Sequence, residues 1–341
     1  AEGGSVNRGG VKKEAEAEIY EVPFCVEPNY AGWRLDRYLA EKIRRLSRTR
    51  IQRIIREDLL WDGPRRLKPS TAVWPGLEFR LRRQRDPEPD CERDFGVAYE
   101  DEDILVVDKP AGLPVHPSAR YFHHTLTAVL RERQPEGEKW DIAHRLDRET
   151  SGLVACGKRP EVTRALKELF ARPGAVEKEY LALVHGWPEE DAFTIDLPLA
   201  LLDHPLKVKM GVVRDGKESE TRGRVEARFS RELPWRGPEL ALVRCFPITG
   251  RQHQIRVHLA AVDHPIVGDK IYGPSDRYFV DFAEGRLSEE ARAELVLPRH
   301  ALHAAALTFP HPKTGEPLRV EAPLPADMAG LASPSLHSKI A

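Results

Sequence analysis

Asp147 stands between Arg145 and Arg148 in the stretch His144-Arg145-Leu146-Asp147-Arg148-Glu149-Thr150-Ser151-Gly152, just ahead of the apolar run Leu153 to Ala155. Guanidiniums beside a carboxylate favour its ionised form, which suits a nucleophile better than a proton donor. The same arrangement also describes an ordinary surface ion pair. A second group of reactive side chains is Gly250-Arg251-Gln252-His253-Gln254-Ile255-Arg256-Val257-His258. Read as a helix opening at Thr249-Gly250, it places Gln252 and Arg256 on one face. Its N-terminus and two guanidiniums suit a phosphate or a carboxylate. His253, His258 and His264 do not stack on one helix face, so polar packing or RNA contact is expected of them rather than a metal. Tyr180 shares a face of a predicted strand with Lys178 and Ala182. It reads either as a core tyrosine or as an aromatic wall for a base taken out of its stack.

Other chemistries find no support. There is no Gly-x-Gly-x-x-Gly opening a helix after a strand, no Walker loop, no Gly-x-Ser-x-Gly elbow and no His-Glu-x-x-His. No nucleotide cofactor and no metal are therefore expected. Cys25, Cys91, Cys156 and Cys245 lie far apart and form no Cys-x-x-Cys pair, which fits inert thiols in a reducing cytoplasm better than zinc or a disulfide framework. No run approaches the roughly 18 apolar residues of a membrane span.

The framework around these side chains can be read from periodicity. Ile104-Leu105-Val106-Val107 is a short strand running into the loop Asp108 to Pro117. Helices are predicted over Thr127 to Arg133 and Val162 to Ala171, and strands over Glu179 to Val184 and Leu240 to Phe246. Strands and helices mix without a regular βαβ alternation, so the fold class expected is α+β. Upstream, Leu35, Leu39, Ile43 and Leu46 recur at helical spacing. Ser47 is placed to cap a second helix that buries Ile51, Ile54 and Ile55 and exposes Arg48, Arg50, Arg53 and Arg56.

The 341 residues carry 53 Lys+Arg and 54 Asp+Glu, a net charge of -1 that taken alone argues against nucleic acid. The charge is uneven, however. Residues 31–85 hold 16 bases and 6 acids, a net of +10, and residues 86–105 hold one base and 9 acids, a net of -8. The division expected is a flexible extension over 1–30, a small basic α/β module over 31–85, an acidic linker over 86–98, a large domain over 99–326 and a tail over 327–341. The basic face of the module suits the phosphate backbone of a nucleic acid, although a basic run is also often just a solvated helix face.

Several motifs carry a specific resemblance. The segment from Trp33 to Leu81 resembles the αL-type RNA-binding domain named after a ribosomal small-subunit protein. HRLDRETSG at 144–152 is similar to the signature of the RluA family of pseudouridine synthases. TGRQHQIRVHLAAVDHPIVGDKIYG at 249–273, DKPAGLPVHP at 108–117, KEYLALVHG at 178–186 and HALHAAALTFPHPKTGE near the C-terminus resemble further motifs of that family, in its order. The resemblance spans about Trp33 to Pro325.

It implies a mixed, mostly antiparallel catalytic domain with flanking helices and a cleft, and isomerisation of uridine to pseudouridine without a cofactor. Asp147 matches the family's catalytic aspartate, Tyr180 its active-site tyrosine and Arg256 the basic residue that pairs with the aspartate. Arg145 is placed to fill the gap left by the extruded base. His144, Lys178, Arg251 and His253, with Arg48, Arg50 and Arg53 of the basic module, are taken as substrate or RNA contacts. Gln252 departs from the common Thr or Ser. Whether the aspartate attacks the uracil ring or the ribose stays open.

The expected partner is RNA, with large-subunit ribosomal RNA ahead of transfer RNA, and the expected setting a cytoplasmic monomer. A non-catalytic RNA-binding assembly protein and a hydrolase using Asp147 as general base are the rival readings.

Overall fold

The computed structural model describes residues 18–43, 46–85, 88–118 and 120–332, and the chain divides into two compact units between Pro89 and Asp90. The first unit consists of β1 (Glu18–Cys25), α1 (Leu35–Lys42), α2 (Arg48–Glu57), β2 (Leu59–Leu60) and β3 (Glu78–Arg85). Its antiparallel sheet has the order β1-β3-β2. Leu35, Tyr38 and Leu39 from α1 and Ile51, Ile54 and Ile55 from α2 form one apolar cluster with Leu77, Phe79 and Leu81. Helical spacing of apolar residues produces this cluster, because only a 3.6-residue period puts them on one side. Ser47 caps α2, its side chain accepting the Arg50 N–H at 3.4 Å.

The expected extension over 1–30 is corrected in its second half. Residues 18–25 are a strand paired along its length with β3, with Phe24 stacked on Phe79 at 5.3 Å. Val22 and Phe24 alternate with exposed neighbours, the period of a half-buried strand. The flexibility expected of residues 1–17 lies outside the described residues.

The second unit opens with β4 (Gly96–Glu100), β5 (Ile104–Lys109), α3 (Leu126–Arg133), β6 (Asp141–Ile142), β7 (Ser151–Gly157), α4 (Pro160–Ala171) and β8 (Glu177–His185). It continues with β9 (Ala192–Asp196), β10 (Leu199–Leu201), β11 (Met210–Val212), β12 (Glu220–Ser230), β13 (Glu239–Pro247) and α5 (Gln254–Ala261). Next come α6 (Arg277–Ala283), α7 (Glu289–Leu295), β14 (Leu302–Pro310), β15 (Pro317–Glu321) and α8 (Ala326–Ala332). The main sheet has the order β4-β5-β7-β14-β8-β13-β12-β9, with β15 on β14 and β6 on β7. Every pairing is antiparallel except β14 with β7, so the fold is mixed α+β and mostly antiparallel.

The apolar run of β5 is buried on both faces. Ile104 and Val106 join the cluster that includes Leu166 of α4, while Leu105 and Val107 join the cluster that includes Leu126 and Leu130 of α3. Helices on both faces explain why this strand reads as a continuous run rather than an alternation. The acidic linker expected over 86–98 is also shorter than that range. Arg93 meets Glu132 at 2.5 Å, Arg133 pairs with Asp94, and the Arg133 guanidinium lies 4.6 Å from the centre of the Phe95 ring, so residues 93–95 dock on α3. The tail expected from 327 is likewise corrected through Ala332. Met328 and Leu331 of α8 are buried, and Asp327 takes a bidentate bond from Arg299 at 2.7 and 2.8 Å. The rest of that tail, 333–341, lies outside the described residues.

Candidate active site

A cleft of about 440 Å³ opens in the second unit. Its lining includes Asp147, Phe170, Lys178, Tyr180, His253 and Arg256. Asp147 is carried by the loop between buried Leu146 and the first residue of β7, and its carbonyl accepts the Thr150 N–H at 3.1 Å. Gly152 lets this loop press against β14. Its φ is +108°, and a Cβ there would lie 2.2 Å from the Ala304 carbonyl oxygen. Lys178 and Tyr180 project from β8, two residues apart and therefore on one face.

Arg256 comes from α5. It donates from one NH2 group to Asp147 Oδ2 at 2.8 Å, and from Nε and its other NH2 group to the two oxygens of Asp269 at 2.7 and 2.9 Å. Asp269 is anchored in turn, its Oδ1 accepting the backbone N–H groups of Ile271 and Tyr272 at 2.9 and 3.0 Å. The guanidinium is thus held by its far edge and presents the remaining corner to Asp147. Burial alone would raise the Asp147 carboxyl; Arg256 first, with His253 and His300 beside it, outweighs burial and holds the group below its ordinary value. Asp269 is also lowered, again because Arg256 overcomes burial. The Asp147 side chain stays 27% exposed, so an ionised carboxylate remains reachable from the cleft. Burial, with Asp147 nearby, pushes the Tyr180 hydroxyl up, so it stays protonated near neutrality.

Bonds from behind fix the Asp147 loop. Glu149 accepts both bonds of Lys270 at 2.9 and 3.0 Å, and Lys270 also reaches the Pro298 carbonyl at 2.5 Å. Thr150 meets His300 Nε2 at 2.7 Å. Buried Lys109 donates to the carbonyls of Pro110, Leu113 and Arg148, and burial pushes it down to about 7.

The residues expected at the site separate into groups. Asp147, Tyr180, Arg256, Arg145, Lys178, Arg251 and His253 all line the cleft, with Arg145 and Arg251 exposed. His144 also reaches the cleft wall, but its ring stacks on Phe170 at 4.2 Å and its Nε2 accepts the Ala155 N–H, so it packs the wall rather than waiting for RNA. The helix expected from Thr249-Gly250 begins only at Gln254, which corrects the shared face of Gln252 and Arg256. The Gln254 side chain accepts from the Thr249 hydroxyl and the Arg251 N–H at 2.7 and 3.0 Å, holding residues 249–251 as a loop.

His258 is consumed by Thr221 and the Leu197 carbonyl, and His264 by the His185 carbonyl. Among the described residues, Asp101, Asp103 and His311 bring ligand-type atoms within 4.8 Å of one another, yet Asp101 is bonded to Tyr99 and His311, and Asp103 to Arg159. In the first unit Arg48, Arg50 and Arg53 are all exposed, but Arg53 is paired with Glu57 and Arg48 leans on buried Asp36. A cavity of about 470 Å³ lies beside them, lined in part by Arg34, Gln52, Arg56, Arg66 and Lys68, most of which the sequence pattern does not single out. Nor does it single out Asp269, Lys270 and Tyr272, although all three fall within GDKIYG at 268–273.

Comparison with known proteins gives the family. A profile described as RNA pseudouridylate synthase matches residues 103–261. Ribosomal large subunit pseudouridine synthase C of Escherichia coli (strain K12) is 36% identical over 314 residues, covering 88% of this chain and 92% of that protein. Ribosomal large subunit pseudouridine synthase D of Nitrosomonas europaea is 35% identical over 322 residues, covering 91% and 86%. Among solved structures, human RNA pseudouridylate synthase domain containing 1 superposes with a TM-score of 0.55 at 27% identity, covering 69% of this chain and 86% of that one. A mixed sheet with a carboxylate–guanidinium cleft at its centre is thus the frame of an RNA-modifying isomerase. The chain belongs to the RluA family of RNA pseudouridine synthases.

Proposed function

We propose that this pseudouridine synthase acts on uridine in large-subunit ribosomal RNA, with Asp147 as nucleophile, Arg256 as the cation that keeps it ionised and aimed, and Tyr180 as the aromatic wall against the flipped base. The observation that carries the assignment is the Asp147–Arg256–Asp269 ladder at an open cleft. Such a ladder supplies in advance the orientation and charge stabilisation that a nucleophile needs. The names of relatives that cover about nine-tenths of the chain support ribosomal RNA over transfer RNA.

The base must leave its stack, because its far edge has to turn within the cleft. The bond from uracil N1 to ribose C1′ breaks, the bond from C5 to C1′ forms, the C5 hydrogen leaves as a proton, and N1 takes up a proton. No electron is gained or lost overall. The first unit serves as an αL-type RNA-binding domain, with Arg48, Arg50, Arg53 and the neighbouring Arg34, Arg56, Arg66 and Lys68 facing phosphates. Arg145 and Arg251 on the cleft rim, with Lys178 inside it, hold the strand around the target, and Arg145 fills the gap in the stack.

The test is tritium release from ribosomal RNA labelled at uridine C5. Wild-type protein is expected to release tritium, and Asp147→Asn to release none while binding RNA as before. Wild-type turnover by the Asn variant would remove Asp147 from the nucleophile role. Free uracil among the products would point to hydrolysis instead.

A further inference from the structure

His253 lies at the cleft wall with its ring edge-on to Tyr272 at 5.7 Å. It precedes α5 with φ 55° and ψ 16°, a left-handed conformation that few non-glycine residues adopt. The ring is turned inward, with its side chain only 9% exposed and its Nε2 3.8 Å from Asp147 Oδ2. Its Nδ1 lies 2.8 Å from the Tyr272 hydroxyl oxygen. That oxygen also accepts the Met210 N–H at 3.0 Å.

One tautomer suits these contacts: the Asp147 carboxylate facing Nε2 favours the ring proton there, which leaves Nδ1 to accept from the Tyr272 hydroxyl. With Nδ1 accepting, the ring proton of the neutral imidazole sits on Nε2, the nitrogen that faces Asp147. Burial first, and Arg256 second, lower the imidazole to about 4, so it is neutral at physiological pH. Tyr272 is pushed up, chiefly by burial, and keeps its proton. The Tyr272–His253 pair therefore holds a neutral N–H donor in the cleft beside the carboxylate.

The reaction has a use for such a donor whichever atom Asp147 attacks. Addition of the carboxylate to C6 pushes the C5=C6 electron pair onto O4 as an enolate. Attack at the ribose releases uracil as an anion whose charge spreads over N1, O2 and O4. Loss of the C5 proton after the new C–C bond has formed again passes the C–H electron pair through O4 before the ring double bond is restored. O4 is the atom common to all three steps. A neutral imidazole can donate to a developing oxyanion without handing over its proton, a known use of histidines held at low pKa.

We propose that His253 is a further catalytic residue whose Nε2–H, held in that tautomer by Tyr272, receives the negative charge that develops on uracil O4. The proposal rests on the assignment of the cleft to the uridine isomerisation. The experiment is single-turnover tritium release by the full chain, on large-subunit ribosomal RNA transcripts made with 5-tritiated uridine or 5-tritiated 4-thiouridine. His253→Ala is expected to lower the rate at saturating RNA by about 10²- to 10³-fold, while RNA affinity stays within about threefold. His253→Gln keeps an N–H donor and is expected to recover at least about tenfold of that loss. Tyr272→Phe frees the tautomer and falls between the two. Sulfur accepts hydrogen bonds weakly, so 4-thiouridine slows the wild type, and it slows His253→Ala by a clearly smaller factor because the donor is already gone.

An Ala variant within about threefold of the wild-type rate overturns the proposal. So does a sulfur effect of equal size in both proteins, or a Gln variant no faster than Ala. Absence of tritium release by wild type overturns the assignment of the cleft, and this proposal with it.

Discussion

At the residue scale the cleft depends on where charge is anchored. Asp147 alone between two arginines would be an exposed ion pair of small consequence. Its setting differs because Arg256 is gripped by Asp269, and Asp269 by two backbone N–H groups. Asp269→Asn would leave a buried guanidinium with one carboxylate instead of two. Breaking a buried pair costs about 3–5 kcal/mol of stability. Loosening the aim of Arg256 should also slow the chemical step by about 10²-fold. Denaturant midpoints and single-turnover rates together check this: a variant that is unstable yet fast when folded would show that Asp269 supports the fold only.

The buried histidines give a second prediction. Burial holds His144 and His300 at about 3 and His185 at about 4, against about 6.5 in an unfolded chain. Their folded pKa values are depressed, so the unfolded state takes up protons first. The stability that these groups contribute is complete above about pH 6.5 and is lost as pH falls toward 3–4, with each able to contribute up to about 1.4 kcal/mol per pH unit. Urea midpoints measured between about pH 7 and pH 5 should fall steadily, and a flat profile would contradict the buried neutral state.

At the scale of elements, the sequence is legible where a local signal and a tertiary demand agree. Ser47 and the spacing of Ile51, Ile54 and Ile55 announce α2, and the period of β8 puts Tyr180 and Lys178 on one face. The start of α5 is not legible, because Thr249-Gly250 looks like a helix opening. The side chain of Gln254 instead captures Thr249 and the Arg251 N–H, which no local propensity encodes. β1 is hidden by the glycine- and charge-rich residues before it, although Val22 and Phe24 carry a strand's period. Asp147, Tyr180 and Arg256 stand out through motif order. Asp269 and Tyr272 do not, because their importance comes from partners 13 and 19 residues away that only folding brings close.

Gly152 offers a test at this scale. Its left-handed φ and the close approach a Cβ would make to Ala304 predict that Gly152→Ala costs about 1–3 kcal/mol from backbone conformation alone, with the clash added. Since Gly152 is the second residue of β7, the strand that follows the Asp147 loop, activity should fall with stability. Unchanged urea midpoints would show that the packing of β7 on β14 yields easily.

At the scale of the whole molecule, a net charge of -1 conceals a basic module that carries +10 over residues 31–85. Phosphate contacts release counterions, so RNA affinity should fall steeply with salt. Replacing Arg56 and Arg66 by serine in the full chain should weaken binding. The slope of log affinity against log salt should also shrink by about 0.7–0.9 for each phosphate no longer neutralised. An unchanged slope would move the anchor elsewhere. The relatives and the structure agree on what the second unit does, whereas the measured slope would say how the chain holds its RNA.

The place of β14 has a consequence for how the protein is made. This strand, residues 302–310, lies between β7 and β8, which are finished far earlier in the sequence. During synthesis the chain emerges N-terminus first, so β7 and β8 wait with bare edges while more than a hundred residues are still being added. His300 and the strand face behind Asp147 arrive only then. The basic module, complete by residue 85, can fold while the ribosome is still translating the rest. A nascent chain of this enzyme therefore has an interval in which the basic module is complete and the catalytic sheet is not, and synthesis stopped before residue 302 would yield a chain with two exposed strand edges and no activity.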